Sequence, residues 1–190
     1  HYYSVSRRPA GRRVAELSDA DFKELLPDAV TCIVIVKRGD SDARLLLTRE
    51  FRYPCGQFLL SPPAGLMDPA DRDQASPLIA TARREIFEET GLELKDTDRV
   101  FVVDRASFSS PGMTDESNGL VCAVAQVPED FRFSSDAAEG TERIGDYALF
   151  DRSEALRILK SGRDDCGIYY SVYTWMALMF FVSGLWEDWG

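Results

Sequence analysis

The segment that most constrains this 190-residue chain is Arg84-Glu85-Ile86-Phe87-Glu88-Glu89-Thr90-Gly91. Ser76 and Pro77 ahead of it and Gly91 behind it are the start and stop signals of an α-helix. Ile79, Ala82 and Ile86 recur at helical spacing and mark the face expected to be buried. On such a helix Glu85, Glu88 and Glu89 are related by three and four positions, so three carboxylates crowd one face. Like-charge pairs at this spacing cost roughly 0.2–0.5 kcal/mol each. The last turn is also the end where the macrodipole disfavours anions. Sequences break local rules of this kind at functional sites. A divalent cation compensates both faults, because clustered carboxylates are hard oxygen ligands suited to Mg²⁺, or Mn²⁺, held together with substrate phosphates. The plainer alternative is a solvated acidic helix end balanced by Arg83 and Arg84.

The rest of the composition narrows the partners. A formal charge of −10 argues against nucleic acid and against an anionic membrane, both of which need a positive footprint. An acidic protein still binds a phosphate-rich small molecule when cations bridge the two. Apolar residues at 45% and charged residues at 28% describe an ordinary globular chain. The single histidine, His1, leaves no Ser-His-Asp or Cys-His constellation and no histidine-ligated zinc. Cys32, Cys55, Cys122 and Cys166 are spaced too widely for a zinc or redox motif and read as reduced thiols of a cytoplasmic protein. The opening residues lack the apolar run of a secretory signal. Ile168 to Trp186 is apolar but short for a bilayer and interrupted by Ser171, Thr174 and Ser183, so a buried C-terminal helix is expected there and no membrane association.

Residues 1–28 read as an N-terminal arm, with a strand over Tyr2 to Arg8 and a helix over Asp19 to Leu26. Residues 29–190 read as one domain. Strands are expected over Ala29 to Lys37, Ala43 to Phe51, Gln57 to Leu60, Arg99 to Phe108 and Gly119 to Val127, with another ending near Phe150. Helices over Ser153 to Ser161 and Gly167 to Ser183 close the chain. Strands mixed with helices at intervals indicate an α/β or α+β sandwich.

The run from Arg84 to Leu92 resembles the end of the Nudix box, R-E-U-x-E-E-x-G-U with U aliphatic, and Gly65 in Pro63-Ala64-Gly65-Leu66 resembles the glycine that opens it. Arg49-Glu50-Phe51-Arg52-Tyr53-Pro54 is similar to the R-x-x-R-Y-P segment of Nudix enzymes acting on ADP-ribose and other nucleoside diphosphate sugars. Ser110 to Glu116 is similar to their S-P-G-x-x-x-E loop, and the closing strand and helices also follow that subgroup. The resemblance runs from about Ile33 to Leu185. The full box reads G-x5-E-x7-R-E, and here Gly65 and Arg84 stand five residues too far apart. Counted back from Arg84, the first glutamate is replaced by Ser76. Asp68 to Gln74 looks like an inserted loop whose aspartates are expected to be solvated turn residues.

The resemblance implies an α/β/α sandwich with a mixed β-sheet and a loop-helix-loop catalytic motif. It implies an enzyme that splits a pyrophosphate by metal-activated water attack on phosphorus, with Mg²⁺ as cofactor. Glu85 and Glu89 would be metal ligands, Glu88 a ligand or a supporting group, the Ala64 carbonyl a further ligand, and Arg84 a brace for the glutamates. A general base would come from the loop before the last strand, with Glu142 the first choice and Glu139 the second. Arg52, Glu116, Pro111 and Gly112 would bind the nucleotide-sugar substrate. The subgroup's N-terminal strands often pack across a dimer, so a homodimer is expected.

Overall fold

A computed structural model describes residues 1, 3–137 and 143–189. Its seven-stranded sheet contains β1 (Ala29–Arg38), β2 (Arg44–Arg52), β3 (Gln57–Ser61), β4 (Ala64–Leu66), β5 (Arg99–Phe108), β6 (Ser117–Val127) and β7 (Ile144–Phe150). The main order is β3-β2-β1-β6-β5, with β4 added to β1 and β7 to β2. β1 runs parallel to β6 along its whole length, from Ala29 opposite Asn118 to Arg38 opposite Val127. Its other edge is divided: Val34–Val36 pair with β2, and Ala29–Thr31 pair with β4, both antiparallel. This division admits β4 to the sheet.

The continuous apolar run of β1 follows from burial on both faces. Val30, Cys32, Val34 and Val36 face a cluster completed by Leu78, Ala82 and Ile86 of α3 (Pro77–Thr90). Ile33 and Ile35 face a second cluster with Ala155 and Ile158 of α4 (Arg152–Ser161) and Leu178 and Phe181 of α5 (Val172–Ser183). The architecture is therefore an α/β/α sandwich with a mixed sheet. Short helices α1 (Asp19–Lys23), α2 (Pro69–Arg72) and α6 (Leu185–Asp188) complete it.

Several boundaries differ from expectation for local reasons. Leu78, rather than Ile79, joins Ala82 and Ile86 in the core, while Ile79 is half-buried. α5 starts at Val172 because the Asp164 carboxylate accepts the N–H groups of Cys166 and Ile168 and holds that stretch in a loop, after which Ser171 caps the helix. α1 stops before Leu26, whose helical conformation Pro27 disfavours. No strand forms over the described part of Tyr2 to Arg8; Val5 makes a lone bridge to Thr114, and the Ser6 hydroxyl folds back on the Arg8 N–H. No helix among the described residues is long and apolar enough to cross a membrane. Cys32 and Cys122 are buried and Cys55 and Cys166 exposed, all as free thiols.

Candidate active site

β4 and α3 build the site together. β4 lies against the acidic face of α3, and its polar backbone meets that face residue by residue. The Ala64 N–H donates to Glu89 Oε1 at 3.0 Å, and the Leu66 carbonyl accepts from Arg84 Nη2 at 2.8 Å. Between them, a Cβ on Gly65 would stand 2.0 Å from Glu85 Oε1, so only glycine leaves room for that carboxylate. Glu85 and Glu89 are 4% and 2% exposed, exceptional burial for acidic side chains. Glu88 is only partly covered.

Arg84 ties the carboxylates to one another. Its Nη1 reaches Glu85 Oε1 at 2.8 Å and Glu88 Oε2 at 2.9 Å. Its Nε and Nη2 donate to Asp71 Oδ2 at 3.2 and 2.9 Å. Burial alone would weaken the charge on Arg84, but the hydrogen bond to Asp71 and the charges of Glu85, Asp71 and Glu88 outweigh it and raise its pKa. Below the carboxylates lies Cys32, fully buried, its thiol directed to the Ala82 carbonyl at 3.9 Å. Burial, then the nearby Glu89 and Glu85 charges, push its pKa well up and keep it a neutral core residue.

Asp71 corrects the sequence reading. It was expected in solvent on an inserted loop, yet it is buried on α2 and its Oδ2 also accepts from the Thr81 hydroxyl at 3.1 Å and the Asp68 N–H at 3.2 Å. Asp68 and Asp73 do remain largely in solvent. Ser76, the position reached by counting back from Arg84, is an exposed N-cap residue with no side-chain capping bond. The signal that finds Asp71 is the opposite count: five residues separate it from Gly65, as the box requires.

A sequence model of the family described as NUDIX domain matches residues 25–165. The chain belongs to the Nudix family. Its Nudix relatives include "Nudix hydrolase 14, chloroplastic" of Arabidopsis thaliana, 29% identical over 61% of this chain and 40% of that protein. "Putative nudix hydrolase 2" of Caenorhabditis elegans is 33% identical over 72% of this chain and 52% of its own length. The chain thus spans about half or less of these two relatives. Two solved structures share the fold: a C. elegans Ap4A hydrolase binary complex (TM-score 0.51, 16% identity, 84% of this chain and 98% of that one) and an ADP compounds hydrolase (TM-score 0.57, 18% identity, 86% and 76%).

Within this Nudix fold the remaining expected site residues are distributed as follows. Arg52, on the exposed end of β2, pairs with Glu50 at 2.5 Å. Arg49, its partner in the R-x-x-R-Y-P segment, is turned to Asp164 (2.6 Å) and Asp165. Glu116 pairs with Arg7 of the N-terminal arm. Pro111 and Gly112 are exposed on the same loop, which the arm clasps through the Val5 N–H to the Met113 carbonyl (2.9 Å) and Ser6 to Asp115 (3.0 Å). Glu139 and Glu142 lie outside the described residues. On the described chain to either side, the Ser134 N–H donates to the Thr90 carbonyl at the end of α3, and the Arg143 carbonyl accepts from the Phe51 N–H of β2. Among the described residues, the acidic group whose donor atoms lie within 4.8 Å of one another is Asp164, Asp165 and Cys166 rather than the glutamates of α3. Arg49 already engages both of those aspartates.

Proposed function

We propose that this Nudix chain hydrolyses the pyrophosphate bond of ADP-ribose or a related nucleoside diphosphate sugar, giving a nucleoside monophosphate and a sugar phosphate. The observation that carries the reading is the burial of Glu85 and Glu89 against β4, with Gly65 leaving the space that the Glu85 carboxylate fills. Buried carboxylates without a cationic role are costly to a fold. The R-x-x-R-Y-P and S-P-G-x-x-x-E segments favour the nucleotide-sugar substrate class.

The donor set fits a divalent metal. Carboxylate oxygens of Glu85, Glu89 and Glu88 and the carbonyl of Ala64 are hard ligands of the kind Mg²⁺ and Mn²⁺ take. Bound there, the metal would neutralise charge on the diphosphate and acidify an attacking water. Glu85 and Glu89 reach this arrangement already braced, by Arg84 and by the Ala64 N–H respectively, so little side-chain freedom is lost on ligation. Arg84 fixes Glu85 relative to Glu88 without contacting substrate. Glu142, or Glu139 in its place, would take the proton of the attacking water, and Arg52, Glu116, Pro111 and Gly112 would hold the nucleotide sugar. Residues 1–28 would act as an arm supporting a homodimer of the 29–190 domain.

The test is a substrate panel with Mg²⁺: ADP-ribose, UDP-glucose, NADH, a diadenosine polyphosphate and dGTP, in ¹⁸O-water with products weighed by mass spectrometry. AMP and ribose 5-phosphate released from ADP-ribose, with one ¹⁸O in one product, is the expected result. Preferential turnover of dGTP or a dinucleotide would overturn the substrate class. Tight binding without turnover of any member would replace the enzyme with a sensor.

A further inference from the structure

Asp71 is the point at which this chain leaves the family spacing. Twelve residues separate it from Arg84 where the box allows seven, a surplus of five that matches the length of the segment 72–76 ahead of α3. Despite the detour its carboxylate is fixed from three sides: by Thr81 of α3, by the Asp68 N–H at the start of α2, and by Arg84. We infer that Asp71 is a positioning residue for the metal site, holding Arg84 so that it braces Glu85 and Glu88 without competing with a divalent cation for them, and that glutamate cannot replace it. The inference rests on the metal role proposed above for Glu85 and Glu89.

The guanidinium is planar, with donors in a fixed fork. In this site the Nε–Nη2 edge is spent on Asp71 and the Leu66 carbonyl, leaving Nη1 for Glu85 and Glu88. Asp71 supplies a negative charge on the far side of Arg84 from those glutamates. Without that charge only the exposed Asp68 carboxylate, 3.7 Å from Nε, remains on that edge, so more of the attraction of Arg84 falls on the carboxylates a cation would need, and without the hydrogen bonds its fork is free to turn further between them. Restoring the family's glutamate does not restore the geometry. Asp71, within α2, is 8% exposed and its Oδ2 already accepts from three donor groups, so an extra methylene drives the carboxylate into Arg84.

The experiment is Mn²⁺ titration of the nucleotide-free protein, read by calorimetry and by the loss of free Mn²⁺ resonance signal, for wild type, Asp71→Asn, Asp71→Glu and Glu89→Gln. Wild type is expected to bind saturably and Glu89→Gln to lose most of that binding. Asp71→Asn and Asp71→Glu are each expected to raise the Mn²⁺ Kd on the order of tenfold, with circular dichroism unchanged. In turnover assays, added Mn²⁺ should recover most of kcat while KM for ADP-ribose moves little. An Asp71→Asn protein with a lowered melting temperature but wild-type Mn²⁺ affinity overturns the inference, leaving Asp71 purely structural. Wild-type affinity in Asp71→Glu overturns the claim against glutamate. If Asp71→Asn does not fold, Thr81→Val removes one donor from Asp71 and must show a smaller rise in Kd, and no rise overturns the proposal. Absence of saturable Mn²⁺ binding in wild type is a separate failure, which removes the metal reading itself.

Discussion

A single methyl group on Gly65 is expected to do much of what removing the Glu85 carboxylate would do. The two cannot occupy the same space, so in Gly65→Ala either β4 or Glu85 must shift. A displacement near 1 Å at a reacting centre costs on the order of a hundredfold in rate, and kcat for ADP-ribose should fall by about that factor while the protein stays folded. Wild-type kcat in this variant would show that Glu85 has no fixed place in the chemistry. Glu89→Gln keeps the shape and still accepts from the Ala64 N–H but loses its charge. It is expected to remain folded and to lose activity by at least about a hundredfold, as removal of a metal ligand or its supporting partner does. At this scale the sequence was most legible where residues break rules: the three glutamates announced themselves by their spacing. Asp71 did not, because an insertion moved it off the helix on which counting back from Arg84 would place it. Only the folding of Pro69–Arg72 into α2 returns it to Arg84.

α3 owes its position to its C-terminal end as much as to its apolar face. Gly91 takes a φ of 69° and returns its N–H to the Phe87 carbonyl, the Ser134 N–H reaches the Thr90 carbonyl, and the Tyr147 hydroxyl of β7 donates to the Glu89 carbonyl at 2.9 Å. Tyr147→Phe removes that last tether. It is expected to lower stability by about 0.5–1.5 kcal/mol, measured by urea unfolding, and to reduce kcat because the backbone carrying Glu89 loosens. An unchanged kcat would show that the other two bonds hold the helix end alone. Elements with many residues and strong apolar patterning, β1, β2, β5 and α4, were legible to within a residue or two. β4 and α2 were not, since three or four residues carry no periodicity and both exist through contacts with β1 and α3. The start of α5 was missed because Asp164 holds residues 166–168 in a loop in which Gly167 takes a left-handed φ of 79°.

Over the whole molecule, three aspartates have depressed pKa values: Asp115 joins distant parts of the chain, Asp71 ties α2 to α3, and Asp151 caps its own helix. Burial opposes ionisation of Asp71 and Asp115, but hydrogen bonds from Arg84 to the first, and from Ser6 and the Val14 N–H to the second, prevail and lower both pKa values. Asp151, capping α4, is lowered mainly by the Glu154 N–H and the Ser153 hydroxyl. In each case the folded state binds the proton less well than the unfolded chain. The stabilisation is therefore complete above the ordinary aspartate pKa of about 3.9 and disappears as pH falls through the lower folded values. The melting temperature should hold from neutral pH to about pH 5 and then drop, less steeply in Asp115→Asn, where the link between the N-terminal arm and the Ser110–Glu116 loop no longer titrates. An identical acid slope in that variant would remove Asp115 from the account. The layered architecture was legible from the alternation of strands and helices, whereas the arm's attachment was not, because it depends on side-chain bonds to a loop a hundred residues away.

On the proposed function, Glu85 and Glu89 are buried beside β4 in order to hold divalent metal against a diphosphate. Anomalous scattering from crystals grown with Mn²⁺ and a non-hydrolysable ADP-ribose analogue tests it most directly. The expected map places manganese on Glu85, Glu89 and the Ala64 carbonyl, in contact with the analogue's phosphates. Manganese found on Asp164, Asp165 and Cys166, with Glu85 and Glu89 carrying none, would contradict it.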